Sequence, residues 1–156
     1  MQVSPQPIKI PIETYRFKVI GKPWVQKNNL SIFYKNPRAR TGAFGGHSHE
    51  MSQARDRMSN ELYAQFMRQG GKTPIDYHIE VDFIFYVAKN HEPDLDNLPA
   101  IVCDAMQGIS VSGARGVRVA AILKNDSSIR KSTILKIVEG DLDYDGEPRT
   151  ELVVRR

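Results

Sequence analysis

Residues 77–88, YHIEVDFIFYVA, alternate apolar and polar side chains. Tyr77, Ile79, Val81, Phe83, Phe85 and Val87 point one way, and His78, Glu80 and Asp82 point the other. That period of two predicts a strand with one buried face, which no chain can hold without a partner layer. The next stretch, EPDLDNLPAIVCDAMQG, supplies a helix over residues 97–107. Pro99 falls in its first turn, where a missing N–H costs little, and Gly108 fits its C-terminal end. Asp94 and Asp96 stand two apart where the strand gives way to the helix. Two readings of Asp96 are open: an N-cap, or one half of a carboxylate pair for a cation. Asp94 is a loop carboxylate favoured by the helix dipole, or the other half of that pair.

The rest of the chain supplies the other layers. TYRFKVIG, from Thr14, alternates and predicts a strand. A polar stretch of about residues 22–49 follows, with an irregular hairpin expected around SIFY. In EMSQARDRMSNELYAQFMRQGG, Met51, Ala54, Met58, Leu62 and Phe66 recur at helical spacing, and Gly70-Gly71 stops the helix. VRVAAILK and STILKIVE predict two further strands, joined by the turn NDSSIR. The fold class is therefore α+β, a small mixed sheet of about four strands with two main helices. The division expected is an extended arm over residues 1–13, a domain over 14–138, and a flexible acidic tail over 139–156.

Charge is unevenly spread. The chain carries +4 overall; residues 139–156 hold −3, and the body before them holds +7. From Thr14 to His49 there is no acid, but Lys22, Lys27, Lys35, Arg38 and Arg40 are there, interleaved with Trp24, Phe33, Tyr34 and Phe44. Such a stretch suits a phosphate backbone, with aromatics to pack on bases or sugars. The acidic tail is expected to fold over this surface and compete with DNA. Cys103 is the only cysteine, which excludes an intrachain disulfide and a cysteine-rich zinc site and suits a reducing cytoplasm. No apolar run approaches the ~20 residues that span a bilayer, so no membrane partner is expected.

Two lesser motifs carry little. His47, His49 and Glu50 lack further zinc ligands at suitable spacing. Asp141, Asp143, Asp145 and Gly146 imitate the start of an EF-hand loop, but its twelfth position is Leu152.

Three features in order carry a family resemblance: FKVIGKP (residues 17–23), PDLDN (93–97) after an alternating strand, and DAMQG (104–108) before VRVAAILK with its final Lys124. Over about residues 15–138 the chain resembles the RusA family of Holliday junction resolvases. The resemblance implies a homodimeric endonuclease that cuts four-way DNA junctions in recombination, repair or phage DNA processing. It implies Mg²⁺, with Mn²⁺ as a substitute, on the catalytic pair Asp94 and Asp96, and DNA phosphates on Lys22, Lys27, Lys35, Arg38, Arg40 and Lys124. A cytoplasmic protein, bacterial or phage-encoded, fits that activity. Two positions depart from the family pattern. The acids expected shortly before the lysine-ended strand fall on Gly113 and Ala114, and a lysine expected early in the motif helix falls on Ala100. A junction-binding protein that cuts weakly or not at all is therefore the alternative.

Overall fold

The computed structural model describes residues 13–24, 30–36, 38–47, 49–90 and 92–156. Lys27 and the arm up to residue 12 lie outside these residues. In chain order the elements are β1 (Thr14–Ile20), β2 (Leu30–Asn36), β3 (Thr41–His47), α1 (His49–Arg68), β4 (Ile79–Val87), α2 (Leu98–Met106), β5 (Ile109–Ser110), β6 (Arg118–Val119), β7 (Ile129–Val138) and β8 (Arg149–Arg155). Single 3-10 turns occupy Leu95–Asn97 and Asp126–Ser128.

The expected α+β architecture is present: a mixed four-stranded sheet, ordered β1-β8-β4-β7, with two helices. β4 lies parallel to β7 and antiparallel to β8, and β8 is antiparallel to β1. β4 keeps its period of two, burying Ile79, Val81, Phe83, Phe85 and Val87. Across the sheet, Phe17 and Val19 of β1 and Leu152 and Val154 of β8 join the same core, which the helices cover. α1 buries Met51, Ala54, Met58, Leu62 and Phe66, the stripe its sequence spacing marks. Its buried Ser59 donates to the Ala105 carbonyl of α2 at 2.8 Å, so the hydroxyl is satisfied where the helices touch.

The edge strand β1 is closed by glutamines. The Gln65 side chain accepts from Lys18 N and donates to Lys18 O at 2.9 and 2.7 Å. One helical turn on, Gln69 accepts from Arg16 N and donates to Arg16 O at 2.8 and 2.7 Å. Residues two apart on a strand edge present outward-facing backbone groups, and residues four apart on a helix stand above one another. The two amides therefore act as a surrogate strand.

Three expectations are corrected. First, residues 139–156 are not a flexible tail. Arg149–Arg155 is an interior strand, with Leu152 and Val154 each 1% exposed. The acids that dominate the segment's charge lie mostly ahead of that strand, where residues 139–148 turn back over the helix-free face. Arg149 anchors this turn: it donates to the Asp145 carbonyl and carboxylate, pairs with Glu151 at 2.7 Å, and stacks 3.4 Å from the Tyr86 ring centroid.

Second, VRVAAILK is not a sheet strand. Arg118 and Val119 pair with Ser110 and Ile109, and Leu123 makes a single parallel bridge to Ile75, but none of them joins the four-stranded sheet. Ala120 then takes a positive φ of 55°, which breaks the extended run. Ile122 and Leu123 tuck beneath the end of α2, both donating to the Met106 carbonyl. The backbone crosses so close that a Cβ on Gly108 would stand 2.3 Å from the Val119 oxygen. Consequently NDSSIR does not join two paired strands; it leads into β7 through the turn Asp126–Ser128, with the Asn125 side chain accepting from Ser127 N at 2.9 Å.

Third, Asp96 is not the cap of α2. It lies inside the turn Leu95–Asn97, and Asn97 holds the cap position without a side-chain cap bond.

Candidate functional site

The motif emerges from the end of β4 and crosses toward β7. Lys136 of β7, level with Phe85 in the parallel register, faces the helix side of the sheet. Its ammonium reaches the Glu92 carboxylate at 2.8 Å and donates to the Pro93 carbonyl at 3.1 Å. The lysine is 20% exposed and Glu92 47%. Two bonds from one ammonium thus pin the two residues ahead of Asp94. Asp94 is extended (φ −64°, ψ 140°), and its carbonyl accepts from Asn97 N at 3.2 Å, which closes the turn. Asp94 and Asp96 flank Leu95 on that turn, and both are exposed.

An exposed carboxylate pair can give a magnesium ion one or two ligands, leaving the other positions to water and a substrate phosphate. Among the described residues, no group of three or more His, Cys, Asp or Glu side chains is placed to hold a metal. Three further acids, one beside the motif and two on β4, are otherwise engaged. Glu92 is paired with Lys136, Glu80 stands 3.7 Å from Lys131, and Asp82 is bonded to Arg155. That bond with the Arg155 guanidinium holds the Asp82 carboxyl below the usual carboxylate range. Glu80 and Asp82 also lie on the helix-free face of β4, opposite the buried residues.

The basic residues are not all gathered. Lys22, just past β1, lines a hollow with Val87, Ala88 and Asn90, and so stands at the end of β4 from which the motif departs. Lys35, Arg38 and Arg40 are exposed on the β2–β3 hairpin, which has formed around SIFY as expected. Lys124 is not at the motif end. Its backbone N donates to Ile75 O, ahead of the start of β4, while Asp94 follows the end of β4. Lys124, expected as a phosphate contact, thus stands at the other end of β4 from the aspartates.

Gly113 and Ala114 occupy the exposed turn between β5 and β6. The sheet strand that follows α2 is β7, and the turn Asp126–Ser128 leads directly into it, with Asn125 before that turn. An acid therefore does precede that strand, hidden in sequence because VRVAAILK alternates and reads as the strand itself. Asp126 lies toward the middle of α2. Burial pushes the Cys103 thiol up to about 11, and the negative charges of Asp126 and Asp104 add to the rise. Cys103 follows Asp96 by seven residues, about 10 Å along a helix axis. Asp126 is thus near α2 but outside the motif turn. Neither it nor Lys136 carried a local sign of its place, because β7's pairing with β4 sets Asp126 near the start of β4 and Lys136 near its end. No protein-family model matches this chain, and no curated protein matches it significantly.

Proposed function

We propose that this chain is a RusA-like, Mg²⁺-dependent endonuclease that binds branched DNA and cuts four-way junctions in recombination, repair or phage DNA processing. One observation carries the reading: Asp94 and Asp96 stand exposed on a turn braced by Lys136, beyond the strand end that Lys22 also borders. Mg²⁺ bound there would lower the pKa of a coordinated water and offset charge on the attacking and leaving oxygens. Asp94 and Asp96 would hold the ion, and Lys22, Lys35, Arg38 and Arg40 would neutralise the DNA backbone. A homodimer would match the two-fold symmetry of a junction and nick opposed strands. Asp126 precedes β7 beside the start of β4, away from the motif turn, so Asp94 and Asp96 are the two acids the site would use.

A second reading is a junction-binding protein that does not cut. The lack of a three-acid cluster among the described residues favours it. A labelled four-way junction, with and without Mg²⁺ or Mn²⁺, separates the two. Metal-dependent nicking that Asp94→Asn abolishes, with binding retained, supports the nuclease. Binding without nicks supports the second reading, and equal affinity for junction and duplex sinks both.

A further inference from the structure

After β1 the chain turns through Gly21, Lys22, Pro23 and Trp24. A cleft of about 380 Å³ opens between this turn and α1. Lys22 and Trp24 line one side, Arg57 and Glu61 the other, and Thr150 of β8 lies at its sheet side. The volume falls in the range of small-ligand sites. Trp24 is half-buried against the core, so its ring is held in place. The Lys22 ammonium lies 5.5 Å from that ring's centroid. Among the described residues, neither Lys22 nor Arg57 forms an ion pair. Thr150 is 2% exposed, and its hydroxyl has no hydrogen-bond partner among the described residues. Its hydroxyl is therefore open to water or to a polar group that enters the cleft.

We propose that this cleft binds a single unpaired nucleotide of a DNA strand, with its phosphate between Lys22 and Arg57 and its sugar and base against Trp24. The proposal rests on the DNA-binding reading above and adds where a nucleotide sits. Two cations that form no ion pair among the described residues suit a phosphate. The fixed indole supplies the apolar surface that nucleotides pack on without sequence preference. Glu61 and Thr150 supply an acceptor and a hydroxyl for polar groups of the sugar or base. Lys22 also lines the neighbouring hollow with Val87, Ala88 and Asn90. A strand crossing Asp94 and Asp96 would therefore meet the cleft through Lys22.

Trp24 is the only tryptophan, so its fluorescence reports on the cleft directly. The full chain is titrated with deoxyadenosine monophosphate, deoxyadenosine, inorganic phosphate, a single-stranded oligonucleotide and a blunt duplex. The expected result is a saturable change with the monophosphate and the single strand. It is weaker with the nucleoside, phosphate or duplex, and Arg57→Gln weakens monophosphate binding about tenfold, as loss of a charge-assisted hydrogen bond implies. An unchanged signal, or an equal response to phosphate alone, overturns the proposal. Junction binding with silent Trp24 fluorescence overturns the cleft and leaves the DNA reading standing. A monophosphate response without junction binding supports the cleft and removes the reading it rests on.

Discussion

Lys136 and Glu92 meet at 2.8 Å between the parallel-sheet strand β7 and the segment that opens the aspartate motif. The same ammonium holds the Pro93 carbonyl, so one side chain fixes the approach to Asp94 from two directions. Lys136→Met keeps the aliphatic stem and removes both bonds. The expected cost is about 1 kcal/mol of stability, since the pair is part-exposed and screened. Because the turn loses its brace, more Mg²⁺ should be needed for half-maximal nicking. Urea unfolding and a metal titration of the junction assay check the two effects. An unchanged metal requirement would show that the brace does not position the carboxylates.

The bond between Asp82 and Arg155 ties β4 to β8 on the helix-free face. Because it lowers the Asp82 pKa in the folded chain, the unfolded chain binds more protons in the acid range. Its stabilisation is present above the ordinary aspartate pKa of about 3.9 and is lost as pH falls through the lower folded value. Asp82→Asn should therefore flatten the loss of stability below about pH 4 and lower stability at pH 7. Urea unfolding of both proteins from pH 7 down to 3 is the measurement; parallel curves would contradict the assignment.

Gln65 and Gln69 occupy the backbone groups of Arg16 and Lys18 at the β1 edge. Replacing both with alanine leaves that edge open. The double variant should lose about 1–3 kcal/mol, because four solvent-accessible hydrogen bonds go at once. It should also self-associate more readily, since unpaired strand edges recruit other strands. Thermal unfolding and light scattering report on each. A single Gln65→Glu exchange is a sharper probe, because a carboxylate can accept from Lys18 N but cannot donate to Lys18 O.

Removing residues 149–156 should abolish cooperative unfolding. β8 fills the place between β1 and β4, and without it Leu152 and Val154 no longer join the core. A truncated chain that keeps a sharp thermal transition would show that the sheet closes without β8.

The elements that sequence determined are those whose signal is local. β4 is read from its own period of two. α1 is read from Met51, Ala54, Met58, Leu62 and Phe66, and α2 from Pro99 at its start and Gly108 after its end. Each buries one face, so each imposes its pattern on neighbouring residues, and the α+β class follows from their sum. The PDLDN turn, too, lies where sequence puts it, between β4 and α2.

What tertiary structure decided is which segments complete the sheet and which charges meet. VRVAAILK has a strand's alternation, but Ala120's left-handed backbone and the close crossing at Gly108 keep it out of the sheet. Arg149–Arg155 follows a run of acids, and only its position between β1 and β4 makes it an interior strand. Lys136 finds Glu92 across 44 residues of chain, and Lys124 is carried to the far end of β4. Pairing of distant strands sets such contacts through hydrogen-bond register and shared burial, and neither is written in the residues next to a charge.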